Sequence, residues 1–425
     1  YCSFRIPEVA DEIYKIDQAV KAGFAWKTGP FETWDMLGVK ETVAKMKELK
    51  QSPAPWVDEM LSSGVESFYK YEKGNKLYYD INSKKYKEIP GYKGLVILDA
   101  LKATNVVWKN SGTTLYNVGD EVLNLEFHTK MNTMGAEVIE GINKAISVAE
   151  KNYKGLVIGN EGDNFSAGAN LGMLFMLAGN REFDEINLSV QAFQNTMMRA
   201  RYSSIPVVVA TSGLTLGGGT ELSMHADQVR AHTETYMGLV EFGVGIIPSG
   251  GGTKEMALRT SDMYKKGDPE LNILMENFMT IATAKVATSS KEAAAMGLLK
   301  HTDKHTLNRS SLLSEAKNDV LNLYNEGYTQ KKQRQNIKVQ GRAGLAMFEA
   351  GITSMLYGKY ISDHDRKIAN KTAYVMCGGD LSQPGYVSEQ YLLDLEREAV
   401  VSLSSEPKTL ERMHGILFKR KTIRN

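Results

Sequence analysis

Thr215-Leu216-Gly217-Gly218-Gly219-Thr220-Glu221-Leu222 follows shortly after the apolar run at 206–210. Four or five consecutive apolar residues bounded by turn signals predict a buried strand. A glycine triplet behind it lets the backbone N–H groups be approached closely. If a helix starts near Gly219, its dipole adds positive potential at those groups. Glu221 then falls in the first helical turn, beside them. The stretch therefore predicts a strand–turn–helix unit with an anion-stabilising turn and a carboxylate at its edge.

Two further stretches have related form. Asn164-Phe165-Ser166-Ala167-Gly168-Ala169-Asn170-Leu171 follows the apolar strand expected at Gly155–Gly159 and leads into an apolar helix. Tyr236-Met237-Gly238-Leu239-Val240-Glu241 is followed by Gly245-Ile246-Ile247-Pro248-Ser249-Gly250-Gly251-Gly252-Thr253. Two small-residue turns on neighbouring strands can aim two N–H donors at one oxygen, which is what stabilising an enolate or oxyanion requires. Singly, each piece reads as an ordinary turn, and Glu241 as a surface carboxylate. The run 250–252 has the look of a phosphate loop but lacks the Lys-Ser/Thr that would complete one, and no G-x-G-x-x-G occurs.

Outward from these turns, strands and helices alternate from about Leu115. A strand is expected at Val122–Phe127, an amphipathic helix at 134–150, and a long helical stretch to about Ala200. Repeated βα units predict an α/β domain. Before it, Ala10, Ile13, Ile16, Val20 and Phe24 recur at helical spacing, and helices are expected from Phe31 and over 40–49. Phe68-Tyr69-Lys70-Tyr71 and Leu77-Tyr78-Tyr79-Asp80-Ile81 around Gly74-Asn75 predict a hairpin. The expected division is 1–90, a helical module with a hairpin; 91–340, the α/β domain; and 341–425, a helical extension without strands.

Together, the motifs from Glu121 to Lys300 resemble the crotonase (enoyl-CoA hydratase/isomerase) superfamily. They include Phe165-Ser166-Ala167-Gly168-Ala169, Leu216-Gly217-Gly218-Gly219-Thr220-Glu221-Leu222, Gly245-Ile246-Ile247-Pro248, and Ala293-Ala294-Ala295-Met296-Gly297-Leu298-Leu299. The resemblance implies a crotonase-like ββα superhelix. It assigns the oxyanion-hole N–H groups to Ala169 and Gly218, and contacts with the CoA ester to Ala167, Gly217 and Lys130, the last on a phosphate or simply solvated. Hydratases of the family carry one glutamate after the glycine triplet and a second 20 residues later. Here these are Glu221, expected to activate water, and Glu241, expected to protonate the α-carbon. Asn170 replaces the family's aspartate, with a turn-supporting role. Met173, Met176 and Leu177 line an acyl tunnel or pack in the core.

Lys27-Thr28-Gly29-Pro30-Phe31-Glu32-Thr33-Trp34-Asp35-Met36-Leu37-Gly38-Val39 resembles the C-terminal helical domain of 3-hydroxyacyl-CoA dehydrogenases, which implies an all-α module over about residues 5–65. The two resemblances imply a fused dehydrogenase/hydratase of fatty acid β-oxidation, of which this chain, beginning at Tyr1, is a fragment. With no dinucleotide fingerprint, neither NAD binding nor dehydrogenase activity is expected here; acyl-CoA is the substrate, and the fragment itself needs no cofactor. The expected function is syn hydration of trans-2-enoyl-CoA to 3-hydroxyacyl-CoA. Alternatives are Δ3,Δ2-enoyl-CoA isomerisation and a non-catalytic acyl-CoA-binding scaffold.

Composition narrows the partners. Across 425 residues, 51 Lys and Arg against 50 Asp and Glu leave a net charge of +1, which gives no support for a nucleic-acid binder. Cys2 and Cys377 make neither a disulfide framework nor a cysteine zinc site. The seven histidines lack metal-ligand spacing; His225 and His232, nearest the motifs, are assigned structural or exposed roles. A reducing, cytoplasmic setting with no membrane contact is expected, with homo-oligomers or other β-oxidation enzymes as partners.

Overall fold

The computed structural model describes residues 1–72 and 74–425, which divide into two compact units, Tyr1–Asn105 and Val106–Asn425. The sequence-based boundary at 90/91 falls inside the first, and the expected extension 341–425 falls inside the second.

In the first unit, α1 (Ile13–Phe24), α2 (Pro30–Leu37), α3 (Val39–Glu48) and α4 (Pro55–Ser62) precede an antiparallel sheet of β1 (Tyr69–Glu72), β2 (Asn75–Asp80) and β3 (Lys85–Glu88), then the single turn α5 (Leu98–Leu101). The expected hairpin is β1–β2, and a third strand follows it, after the helices of residues 5–65. The third strand pairs Tyr86 with Tyr79 and is too short and too exposed to show a pattern in sequence. Asp17, buried on α1, accepts the N–H groups of Phe31 at 2.8 Å and Glu32 at 3.0 Å and the Tyr69 hydroxyl at 2.7 Å. It thus caps α2 from a neighbouring helix and ties it to β1. Glu32 completes the cap by accepting from Gly29 N–H.

The second unit is built on a seven-stranded sheet. In chain order its first strands are β4 (Val106–Lys109), β5 (Thr113–Asn117), β6 (Val122–Phe127) and β7 (Gly155–Gly159), with α6 (Ala136–Asn152) crossing from β6 to β7. Then come α7 (Leu171–Gly179), α8 (Phe183–Arg201), β8 (Val207–Leu216), α9 (Gly218–His225) and β9 (Gln228–Gly238). After these follow α10 (Glu241–Val244), α11 (Gly252–Met263), α12 (Glu270–Ala282), α13 (Ser290–Ala295), β10 (Lys304–Thr306) and α14 (Leu312–Asn325). The spatial order is β10-β9-β8-β7-β6-β5-β4, parallel from β6 to β10 and antiparallel at the β4–β5–β6 edge. Such parallel strands are buried on both faces, and all five residues of β7 are buried. The helix α6 turns Val138, Ile142, Ala145, Ile146 and Ala149 inward at i, i+3/i+4 spacing, against Leu115, Leu123, Leu125, Leu156 and Ile158. Each Val, Leu or Ile among them contributes about 1.5–3 kcal/mol on burial, the alanines less.

Two departures from the sequence reading matter for the site. The single helical stretch expected to Ala200 is two helices, broken where Arg181 takes the left-handed φ of +62°. The strand β9 escapes detection because its polar residues break any apolar run, although most of it is buried.

The chain ends with β11 (Ile337–Val339), α15 (Gly341–Tyr357), α16 (Asp363–Met376), β12 (Gly385–Val387), α17 (Glu389–Ser404) and α18 (Pro407–Lys419). The region 341–425 therefore does contain a strand, since β12 pairs with β11. Nor is it an appendage: Ile368, Ala373, Leu392, Val400 and Met413 share one core with Met237, Phe242, Ile247 and Met256. Among the described residues no helix is long and apolar enough to cross a membrane.

Candidate active site

Neighbouring strands β7 and β8 each run into a turn, and the turns are zipped side by side. Phe165 N–H donates to Ser212 O at 2.8 Å, Ser166 N–H to Leu214 O at 3.0 Å, and Leu216 N–H to Ser166 O at 2.9 Å. Gly217, at φ +51°, makes the sharp entry into α9, and a Cβ there would stand 2.7 Å from Glu241 Oε1. The two expected donors come together: a Cβ built on Gly218 would lie 3.3 Å from the Ala169 nitrogen. Gly217 N–H is taken by Gly238 O and Asn170 N–H by Met134 O, whereas no acceptor among the described residues takes the N–H of Ala169 or Gly218. Gly218 opens α9, so its N–H has no partner within the helix and lies at the positive end of the helix dipole. Two free, converging donors of this kind are what an oxyanion needs.

Two cavities meet at this point. One, of about 390 Å³, is lined by Met134, Ala169, Met173, Leu177, Ile186 and Phe193 among others, with Glu221 and Glu241 at its wall. The other, of about 460 Å³, is lined by Ala167, Gly168, Ala169, Gly217, Glu241 and residues of the chain end, Ile416, Thr422 and Arg424. Ala169 and Glu241 belong to both. Met173 and Leu177 line the first cavity as the tunnel reading expects; Met176 is exposed and does not. Asn170 caps α7, its Oδ1 accepting from Met173 N–H at 3.3 Å. Lys130 is exposed on the short turn Lys130–Asn132, whose Met131 carbonyl accepts the Ala167 N–H.

The carboxylates sit in contrasting surroundings. Glu221 is 3% exposed. Its Oε1 accepts the N–H groups of Gly250 at 2.7 Å and Gly252 at 2.8 Å. Burial raises its carboxyl to about 7 against the downward pull of those N–H groups and of Lys254. Glu241 opens α10, and its Oε2 is sealed from solvent with no hydrogen-bond partner among the described residues. Burial, and then the nearby Glu221 charge, push its carboxyl well above the usual range. Both carboxyls therefore hold a proton more tightly than an exposed carboxyl does, and each raises the other. The run 250–252 thus cradles carboxylates of the protein itself, Glu221 on Gly250 and Gly252 and Glu396 on Gly251.

Behind Glu221 lies a buried charge network. His225 Nδ1–H donates to Glu221 O at 2.7 Å, leaving Nε2 to accept from Lys254 Nζ at 2.9 Å. Burial, and then the Lys254 charge, push the His225 imidazole well below its usual range, so it stays neutral. Lys254, fully buried, also meets Glu255 at 3.3 Å and Glu389 at 3.5 Å, and Arg201 closes on Glu255 at 2.6 Å. His225 is therefore structural, and His232 lies part-exposed. The sequence reading missed Lys254, Glu255, Glu389 and Glu396. A signal for two of them exists: Glu389 and Glu396 occupy the apolar stripe of α17, in line with Leu392, Leu393, Val400 and Leu403. Among the described residues no group of three or more His, Cys, Asp and Glu is placed to hold a metal ion.

Residues 118–265 match the family model described as enoyl-CoA hydratase/isomerase. The chain is 44% identical over 426 residues to "Probable 3-hydroxyacyl-CoA dehydrogenase" of Bacillus subtilis (strain 168), covering 100% of this chain and 53% of that protein. It is 29% identical over 420 residues to "Putative fatty acid oxidation complex trifunctional enzyme" of Rickettsia felis (strain ATCC VR-1525 / URRWXCal2), covering 98% and 51%. The chain thus spans about half the length of the curated relatives it matches. Among solved structures, an enoyl-CoA hydratase from Rhodobacter sphaeroides 2.4.1 has the same fold, with a TM-score of 0.53 and 14% identity, covering 74% of this chain and 92% of that one. These likenesses show a crotonase-like α/β fold, with residues 118–265 similar to the enoyl-CoA hydratase/isomerase family.

Proposed function

We propose that the second unit hydrates trans-2-enoyl-CoA to 3-hydroxyacyl-CoA. The observation that carries this reading is the pair of buried carboxyls, Glu221 and Glu241, facing one apolar cavity beside two free N–H groups. The thioester oxygen lies between Ala169 and Gly218 N–H, and the acyl chain fills the 390 Å³ cavity. Glu221 takes a proton from water as the hydroxyl adds to the β-carbon. The displaced electron pair moves onto the thioester as an enolate, held by the two donors. Glu241 then delivers its proton to the α-carbon, and the pair exchanges protons to return to its starting state. General acid–base work of this kind contributes about 10²–10⁴ in rate.

Ala167, Gly217 and Lys130 are assigned to the CoA end of the substrate, the first two because they border the second cavity or its entry. In the whole protein this domain works beside a 3-hydroxyacyl-CoA dehydrogenase whose NAD site lies outside the present chain; the chain itself binds no cofactor beyond its substrate. The same reading assigns the protein to fatty acid β-oxidation, in the cytoplasm, as a homo-oligomer or beside other enzymes of that route.

The test is loss of the conjugated thioester absorbance of crotonyl-CoA and a longer enoyl-CoA. Turnover that collapses in both Glu221→Gln and Glu241→Gln supports hydration. Double-bond migration lost in only one variant means an isomerase, and tight CoA-ester binding without turnover means a scaffold.

A further inference from the structure

Glu396 of α17 lies 175 positions from Glu221 in sequence and is fully enclosed. No cation stands within ion-pair distance of it among the described residues. Its partners are backbone and amide groups. Oε1 accepts from Gly251 N–H at 2.7 Å and Gln194 Nε2 at 3.2 Å, and Oε2 accepts from Lys254 N–H at 2.8 Å. The flanking N–H groups, of Gly250 and Gly252, go to Glu221. One short stretch, 250–254, is thus held from two sides: the N–H groups of Gly250 and Gly252 go to a glutamate of α9, those of Gly251 and Lys254 to a glutamate of α17. Gly251 permits this with φ +101°, where a Cβ would stand 2.8 Å from the His225 ring.

We infer that Glu396 is a positioning residue of the acid/base site: it fixes the 250–254 loop that holds Glu221, and its carboxyl competes with that of Glu221 for ionisation. The inference rests on reading Glu221 as the base. Two carboxyls that share one loop in a water-poor interior repel each other when both are charged, so each raises the other's affinity for a proton. The charged groups around Glu396 are Glu221 from α9, Glu241 from α10, Lys254 from α11, and Glu389 and Arg397 from α17 itself; Arg201, His225 and Glu255 surround Lys254. Burial, and then the Glu221 charge, push Glu396 up to about 8. Lys254 does not neutralise it at close range, because that ammonium is turned toward His225, Glu255 and Glu389.

The test uses the full chain with Glu396→Gln, which keeps an acceptor oxygen but cannot ionise, and Glu396→Ala, which removes the acceptors. Two readouts are taken: pH profiles of kcat and KM for enoyl-CoA hydration, and carboxyl infrared titration without substrate. In Glu396→Gln one buried carboxyl titration should vanish, and the Glu221 titration and the acidic limb of kcat/KM should move together to lower pH. In Glu396→Ala kcat should fall at least tenfold with KM nearly constant, and Glu396→Gln should recover part of it. Unshifted titrations in Glu396→Gln with wild-type kcat in both variants would overturn the inference. So would losses confined to thermal stability, which mean plain packing. If the wild-type protein hydrates nothing while the infrared shift persists, the hydratase reading fails and the Glu396–Glu221 coupling stands.

Discussion

Glu221 Oε1 accepts the Gly250 N–H at 2.7 Å, which ties the helix beginning at the oxyanion turn to a loop 29 residues further along the chain. One oxygen of the carboxylate is thereby occupied by the backbone and its orientation is fixed. The residue lines the apolar cavity together with Glu241. The proposed chemistry depends on this carboxyl being held in place beside its partner.

Replacing either glutamate by glutamine should abolish most of the hydration. A fall of about 10²–10⁴ in kcat is expected for each single variant, with KM changed far less. The double variant should be little worse than the poorer single one, because residues acting as a unit are not additive. Stopped-time absorbance assays on the three proteins check this, and additive losses would argue against a paired mechanism.

The pH dependence follows from the same surroundings. Because burial raises Glu221 to about 7, the base is lost by protonation as pH falls through that value, and kcat/KM should drop there. Stability has its own sign. Glu221 and Glu396 hold protons in the folded state up to about 7 and about 8, against 4.5 when unfolded. Their contribution is fully present below pH 4.5 and is lost as pH rises through the folded values. Relative to wild type, a Glu221→Gln/Glu396→Gln protein should therefore gain Tm as pH rises from 5 to 8. A Tm difference that is flat over this range would contradict the assignment.

Gly218→Ala should act on the oxyanion site and the cavity wall beside it, where Met134 and Phe193 also lie. Its Cβ would meet the Phe193 ring at 2.7 Å and stand 3.3 Å from the Ala169 nitrogen, filling the space between the two donors. The N–H remains but the Cβ keeps the oxygen from it, so a loss approaching the roughly 10²–10³ in kcat of a removed donor is expected. Circular dichroism and Tm should show the fold retained, since φ at this position is not left-handed.

Glu389 joins the buried network without solvent access, meeting Lys254 at 3.5 Å and Arg201 at 3.6 Å and accepting the Tyr202 hydroxyl. Glu389→Ala should lower stability by about 3–5 kcal/mol, because it leaves buried cations undercompensated. Urea unfolding of the two proteins measures it; a change below 1 kcal/mol, within the range of an exposed pair, would mean that water reaches the network.

Acyl-chain length should be set along α8. Ile186 lies two helical turns before Phe193, so about 10 Å separate them along the axis, and both line the 390 Å³ cavity. Phe193 is the one against Gly218 and Gly250. Ile186→Phe should therefore spare crotonyl-CoA and weaken long enoyl-CoA esters, by roughly fourfold in kcat/KM per excluded methylene at about 0.8 kcal/mol each. Equal loss for short and long substrates would place the chain elsewhere.

The sequence by itself determined the local pieces of this protein. The apolar run before Gly217 and the small residues at 167–169 are short-range features, and each dictates backbone geometry within a few residues of itself; the 20-residue spacing of the two glutamates took its meaning from the family resemblance. The helices around Ile13, Phe31 and 134–150 were legible for the same reason, because apolar periodicity reports which face is buried. The tertiary structure decided what no neighbouring residue specifies. It brought Ala169 and Gly218 side by side through pairing of β7 with β8, sealed Glu241 Oε2 from water, and carried Glu396 and Val400 of α17 back to the site. It also turned the 250–252 run toward two of the protein's own carboxylates. Burial and long-range charge set the acidities on which the chemistry depends, and both are properties of packing between segments, so a chain read residue by residue shows the glutamates but not how tightly each keeps its proton.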